Sequence, residues 1–336
     1  MPEKILVTGA SGFIASHCIL DLLQHGYAVR GTLRNLDRSE KLRDIIAKHH
    51  SGASEIEFAE ANLTSADGWA EAIDGCDGVF HVASPVSAVL PKDSNELIEP
   101  ARQGTVNVLT AAKNAGIKRV VLTSSAAAVT GSEKVSERTY TCDDWSDPLD
   151  SNLTAYSVSK TIAEKKAWEM AAGGGSELAV INPVVVLGPA LETDYGTSLE
   201  LLYKLLTGEL PLVPNVGYEI VDVRDVATLH RLAFEHPEAA GQRFLCAAGF
   251  RWFIAITEQL RKEFPDYRGK IPHRRMPNIL LSFFALFVKE IASIRNEVGS
   301  IKRLDCTPAL NIGWQPRTPE EAIKAGAKSP IELGIV

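Results

Sequence analysis

The feature that constrains this chain most lies in its first fifteen residues. Lys4–Thr8 is a short β-branched run that predicts a strand, and Phe13–His25 predicts a helix closed by Gly26. Between them stands Thr8-Gly9-Ala10-Ser11-Gly12-Phe13-Ile14-Ala15. Gly9 permits the tight turn, Gly12 lets the backbone approach a pyrophosphate, and Ala15 allows close helix–sheet contact where a third glycine is also common. The helix start offers unpaired N–H groups and a partial positive charge to phosphates. Two glycines alone are weak evidence, since an ordinary turn has them too. Placed between a first strand and a first helix, they predict a dinucleotide site that includes Gly9, Ser11, Gly12, Phe13 and Ile14.

The same alternation continues. Strands are expected at Ala28–Leu33, Glu55–Ala59, Gly78–Val82, Arg119–Ser124 and Leu178–Asn182. Helices are expected at Ser39–His49, Asp67–Ile73, Glu96–Ala115 and Asn152–Ala172, the last stopped by Gly173-Gly174-Gly175. Strict βαβα order predicts an α/β fold with a doubly wound parallel sheet covered on both faces. After Pro183 the pattern loosens, with helices near Ser198–Thr207, Val223–Glu235 and Ile254–Phe264 and prolines between short elements. The expected division is a dinucleotide-binding domain over residues 1–190, with 220–250 returning to it. Residues 191–336 then form mainly a smaller, interleaved substrate lobe.

With 336 residues, 45% of them apolar and 23% charged, the chain can bury a sizeable core. Its net charge of −7 argues against a nucleic-acid surface. The run Ile279–Val288 is too short to span a bilayer; it reads as a buried or lobe-covering helix, and whether it lines an apolar pocket or leans on a membrane stays open. Lys4 leads directly into Ile5-Leu6-Val7, which reads as a strand, so no signal peptide is expected. Five cysteines without a Cys-x-x-Cys indicate neither zinc nor a redox pair, so no metal is expected and reduced thiols in the cytoplasm are the simplest reading.

The second strand ends Gly31-Thr32-Leu33-Arg34, where an NAD site usually carries an acidic residue for the ribose hydroxyl. Arg34, with Arg38 and Lys41 nearby, suits a 2′-phosphate instead and predicts NADP(H). Of the seven tyrosines only Tyr156 has lysine four residues on, at Lys160, so the pair shares a helix face. Free tyrosine has a pKa of about 10, and a nearby ammonium favours tyrosinate and brings proton exchange closer to neutrality. The plainer reading is a surface tyrosine and a solvated lysine, on a helix where Glu164, Lys165 and Lys166 read as ordinary surface charge. The fifth strand ends Thr123-Ser124-Ser125, facing the crevice of a parallel sheet. Either serine can hold a carbonyl oxygen, or simply cap a turn.

Together these residues resemble the extended short-chain dehydrogenase/reductases, and more narrowly their dihydroflavonol-4-reductase-like branch of aldehyde and ketone reductases. The likeness runs from residue 4 to about residue 250. It rests on the glycine turn, His81-Val82-Ala83-Ser84-Pro85, Leu122-Thr123-Ser124-Ser125-Ala126, Tyr156-Ser157-Val158-Ser159-Lys160, Asn182-Pro183-Val184-Val185-Val186-Leu187-Gly188-Pro189 and Val221-Asp222-Val223-Arg224-Asp225. The resemblance implies Ser125, Tyr156 and Lys160 as the catalytic set, with Tyr156 as proton donor, and it implies that Tyr156 and Lys160 also touch the cofactor, Lys160 at the nicotinamide ribose. It implies Arg34 as the NADP-selecting residue with Lys41 as helper, and Asn62 before Leu63 at the adenine side, where aspartate is usual. It further implies Val82, Ala83, Ser84 and Thr123 along the cofactor, Pro183, Val184 and Val186 by the nicotinamide, and Ser198 near a phosphate. The implied activity is NADPH-dependent reduction of a small-molecule carbonyl to an alcohol by a monomer or homodimer. Two rivals are an NAD-dependent nucleotide-sugar epimerase or dehydratase, and a non-catalytic NADP(H)-binding sensor. Tyr195, Tyr203, Phe250, Trp252 and Phe253 are candidates for the substrate wall, against the plainer reading of each as core packing.

Overall fold

The computed structural model describes residues 2–85, 93–193, 196–284 and 295–336. Its main sheet has seven strands: β1 (Lys4–Val7), β2 (Ala28–Leu33), β3 (Glu57–Glu60), β4 (Gly78–His81), β5 (Arg119–Thr123), β7 (Glu177–Pro183) and β10 (Arg243–Cys246). They run parallel in the order β10-β7-β5-β4-β1-β2-β3. Both faces are covered, and the side-chain alternation shows how. Ile5, Val7, Phe80, Val121, Ala179 and Ile181 enter one apolar cluster. Leu6, Val79, Val120, Leu122, Leu178 and Val180 enter the other. Strands buried on both faces read as unbroken apolar runs, and that is why they stand out in the sequence.

Helices α1 (Phe13–Gln24) and α7 (Val223–Glu235) pack together on the first face. Helices α4 (Asn95–Asn114) and α5 (Ala155–Ala172) pack together on the second, and α2 (Ser39–Ala47) and α3 (Trp69–Ile73) complete the early crossovers. The strand order turns around between β1 and β4. A crevice therefore opens beyond their carboxyl ends, the place where doubly wound sheets bind ligands.

The second half differs more from expectation. Strand β10 extends the main sheet, while β8 (Val185–Leu187), β9 (Gly217–Asp222) and β11 (Gly249–Trp252) form a three-stranded sheet. Strand β6 (Glu137–Tyr140) pairs in parallel with β12 (Ile301–Leu304). Helices α6 (Thr197–Thr207) and α8 (Phe253–Glu263) stand as anticipated. Helix α5 begins three residues later than expected because Thr154 caps it, its Oγ1 accepting from Ser157 N at 3.1 Å. The prolines of the C-terminal third hid a helix, Pro319–Glu332, opened by a reciprocal capping box between Thr318 and Glu321. Of the Ile279–Val288 run, α9 (Asn278–Phe284) is described; Ile279 is 83% exposed while Leu281 is buried. The rest of that run, and Tyr195, lie outside the described residues.

Candidate active site

The glycine turn sits at the switch point and is pinned from both neighbouring strands. Gly9 N donates to Thr32 Oγ1 (3.0 Å), Ala10 N to Thr32 O (2.9 Å), and Ala83 N to Thr8 Oγ1 (2.9 Å). Gly9 adopts φ +67°, and a Cβ there would stand 2.9 Å from the Ala83 Cβ, so only glycine fits. Gly12 precedes α1 in an extended conformation, and among the described residues no side chain caps that helix. Its first N–H groups are left to an external acceptor, at the positive end of the dipole. Gly196 brings the start of α6 to the same turn, since a Cβ on it would lie 3.7 Å from Phe13 Cβ. Half-buried Ser198 follows in the first turn of α6. These observations fit a dinucleotide pyrophosphate. Sequence reasoning passed over Gly31, whose missing Cβ leaves room for Ala10 (2.6 Å from an added Cβ); a glycine inside a predicted strand was the available signal.

The expected adenosine-side residues fall into three situations. Arg34 is exposed just past β2 and forms no ion pair with any described residue. Lys41 and Arg38 are both engaged by Glu192, at 3.0 and 3.1 Å. Asn62 is exposed, with its Oδ1 accepting from Thr64 N (3.1 Å) and Thr64 Oγ1 (3.0 Å). The amide oxygen expected to meet an adenine amine thus already holds its own turn. Leu63 packs against Gly104, where no Cβ would fit. Val82, Ala83 and Ser84 lie half-buried just past β4.

Beyond β5 the two serines separate. Ser124 is buried and donates to Glu164 Oε2 at 2.5 Å, which commits its proton. Half-buried Ser125 accepts from Ala127 N at 3.2 Å, capping a short turn. The cap reading is met for Ser125, and the cap leaves its hydroxyl proton available to donate. Thr123 Oγ1 is 2.6 Å from His230 Nε2, while His230 Nδ1 meets Val226 O at 2.8 Å. A carbonyl only accepts, so Nδ1 carries the proton and Thr123 donates to Nε2. Burial lowers His230 to about 4, which keeps it neutral.

Tyr156 is half-buried in the first turn of α5. Lys160, one turn on, is only 6% exposed, its ammonium 5.8 Å from the Tyr156 ring centre. It lines a small cavity with His81, Ser84, Thr105 and Ser124, so it is not a solvated surface lysine. Burial and, second, the Lys160 charge lower His81 to about 3. Thr8 Oγ1, which accepts from Ala83 N, also lies 3.0 Å from His81 Nδ1.

Glu164 corrects the reading of α5 as a surface helix. It is fully buried, and it accepts from Ser124 Oγ, from Asn182 Nδ2 (2.7 Å), from Arg243 Nε (2.6 Å) and from Trp168 Nε1 (3.3 Å). Asn182 Nδ2 also donates to Ser125 O (3.2 Å), and the Arg243 guanidinium stacks on Trp145 at 3.7 Å. One carboxylate thus ties the end of β5 to the helix carrying Tyr156 and Lys160. Its signal in the sequence was its spacing, four residues after Lys160 on the same face. On the far side, Pro183 ends β7 buried, Val184 is half-buried and Val186 is buried in β8. Of the wall candidates, Phe253 is plain core, and Phe250 lies over Gly217 with Trp252 edge-on at 5.1 Å.

A parallel sheet with a glycine turn and an uncapped helix start at its switch point is the arrangement of a dinucleotide-binding protein, and buried Lys160, one turn on from Tyr156, lines a cavity with Ala83 and Ser84 past β4. The profile of the NAD dependent epimerase/dehydratase family matches residues 5–247, and the chain belongs to that family. It is 43% identical to cinnamoyl-CoA reductase 1 of Petunia hybrida over 79% of this chain and 78% of that protein. It is 36% identical to dihydroflavonol 4-reductase of Hordeum vulgare over 78% and 75%. The yeast methylglyoxal/isovaleraldehyde reductase Gre2, solved in complex with NADPH, superposes with a TM-score of 0.82 at 27% identity, covering 99% of this chain and 100% of that one. The expected resemblance to the extended reductases, and the fold it implied, are met.

Proposed function

We propose that this protein reduces an aldehyde or ketone to an alcohol with NADPH, with Ser125, Tyr156 and Lys160 as its catalytic residues. The observation that carries the reading is that buried Lys160, one turn on from Tyr156, lines a cavity with Ala83, the residue that abuts Gly9, while Arg34 rather than an acid follows β2. NADPH, when bound on that cradle, supplies the hydride. Tyr156 donates a proton to the substrate oxygen, Ser125 hydrogen-bonds the same oxygen, and Lys160 holds positive charge beside the phenol, favouring its loss of the proton. Gly9, Gly12 and the start of α1 hold the pyrophosphate, Ser198 a phosphate, and Arg34 the 2′-phosphate. The chain after residue 191 shapes the substrate pocket. The epimerase reading draws less support, because these three relatives are reductases and the position after β2 is basic. Five free cysteines support a reducing compartment, the cytoplasm; among the described residues no helix is long and apolar enough to cross a membrane.

The test is consumption of NADPH, and separately NADH, over a panel of aldehydes, ketones and aryl-acyl thioesters. Turnover with NADPH preferred supports the reading. Turnover with neither, from protein that retains tightly bound NAD, returns the epimerase.

A further inference from the structure

The cations beyond β2 are not all open to a phosphate. Glu192 reaches them from the segment that follows β8, so it comes from a distant part of the chain. One of its carboxylate oxygens lies 3.1 Å from Arg38 Nη2 and the other 3.0 Å from Lys41 Nζ. The Glu192 side chain is 11% exposed, against 42% for Arg38 and 60% for Lys41. It lines one groove with Ser11 and Phe13 of the glycine turn and with Leu42 and Ile45 of α2. That groove joins the glycine turn to α2, the helix that follows β2, on the side where the adenosine half of a dinucleotide lies in such folds.

A carboxylate and a phosphate ask for the same partners. A 2′-phosphate brings close to two negative charges to a place where Glu192 already holds one against the same two cations. Sharing Lys41 and Arg38 sets the two anions side by side, and giving them up leaves a poorly exposed carboxylate without its counter-charges. The uncharged 2′-hydroxyl of NADH makes no such demand. We propose that Glu192 is a built-in competitor for the 2′-phosphate, and that it sets NADPH affinity, and the preference for NADPH over NADH, below what Arg38 and Lys41 would give alone. Arg34, with no ion pair to any described residue, still favours the phosphate, so the preference is moderated and not reversed. The consequence for turnover is easier release of the oxidised cofactor, because the carboxylate retakes its cations as the phosphate leaves.

This inference rests on the NADP(H) reading and on Lys41 as a contact of the 2′-phosphate. Its test is the dissociation constants of NADPH and NADH, from quenching of tryptophan fluorescence, in the whole protein, Glu192→Gln and Lys41→Ala, at low and high salt. Glu192→Gln is expected to tighten NADPH about three- to ten-fold, the scale of two partly exposed ion pairs, and to leave NADH within about two-fold. The gain should shrink as salt is raised. Lys41→Ala is expected to weaken NADPH alone. If Glu192→Gln leaves NADPH binding unchanged or weaker, or tightens both nucleotides alike, while Lys41→Ala still discriminates between them, then Glu192 does not compete and the inference fails by itself. If Lys41→Ala affects both nucleotides equally or neither, Lys41 is not a phosphate contact and the underlying reading fails too.

Discussion

Two hydroxyl-bearing residues stand side by side after β5, and only their hydrogen bonds tell them apart. Ser125 keeps a proton to donate, whereas Ser124 gives its own to Glu164. Tyr156→Phe is expected to lower turnover by at least about a hundred-fold, the usual scale for removing a general acid, with NADPH binding retained. Steady-state rates set beside a nucleotide titration check this; near-normal rates would remove Tyr156 from the chemistry. Gly9→Ala forces a left-handed backbone on alanine, costing about 1–2 kcal/mol, and drives its methyl into Ala83. The expected result is loss of NADPH binding and a lower melting temperature. Glu164→Ala would strand Arg243, itself nearly buried, at a cost of about 3–5 kcal/mol, read as a fall in unfolding free energy in denaturant. At this scale the sequence showed the tyrosine, the lysine and the glycines through their spacing. It hid Glu164 because an acid flanked by two lysines looks like surface charge, and only the partners from β5, β7 and β10 show otherwise.

The elements divide by how local their signals are. From β1 to β5 each strand of the main sheet is followed by its own crossover helix, buried strands are continuous apolar runs, and glycines close α1 and α4. Those features lie within a few residues of the element they mark. Strands β8, β9, β11, β6 and β12 are only three to six residues long and find partners far along the chain, β6 and β12 being more than 150 residues apart. No window of sequence contains both halves of such a ladder. The Pro319–Glu332 helix is a different case: Thr318 and Glu321 spelled its capping box, but the surrounding prolines read as punctuation. Helix caps give this scale its own prediction. Thr154→Ala removes the acceptor for Ser157 N in the turn that carries Tyr156, and is expected to cost about 1 kcal/mol of stability. It should also lower kcat more than it alters NADPH affinity, because the frayed turn holds the phenol while the phosphate contacts lie on other elements.

Across the whole molecule, acid sensitivity follows from what the two-faced core encloses. His17, His81 and His230 are buried and held neutral, with pKa values lowered to about 4, 3 and 4, burial being the largest cause in each. Unfolded, each titrates near 6.5. As pH falls from about 6.5 toward 4 the unfolded chain takes up protons that the folded protein refuses, so stability drops, by up to about 1.4 kcal/mol per pH unit for each histidine. Glu219 works the other way. Burial raises it to about 7, with Arg303 and Arg251 opposing, so the folded protein binds its proton before the unfolded chain does and gains stability as pH falls from about 7 to about 4.5. Asp225, also raised by burial, adds to that opposition at lower pH. The carboxylates that ion pairs and hydrogen bonds hold low, such as Glu57, Glu177 and Glu320, withdraw stability only below about 4.5. Between these limits the histidines outweigh Glu219. Melting temperature should therefore fall steeply between about pH 6.5 and pH 4.5, and more steeply in Glu219→Gln, which is stabilised at pH 8 and loses that advantage on acidification. A melting temperature that stays level from pH 7 to pH 5 would mean that the histidines are not held neutral in the core, and equal slopes in the two proteins would remove Glu219 from the balance.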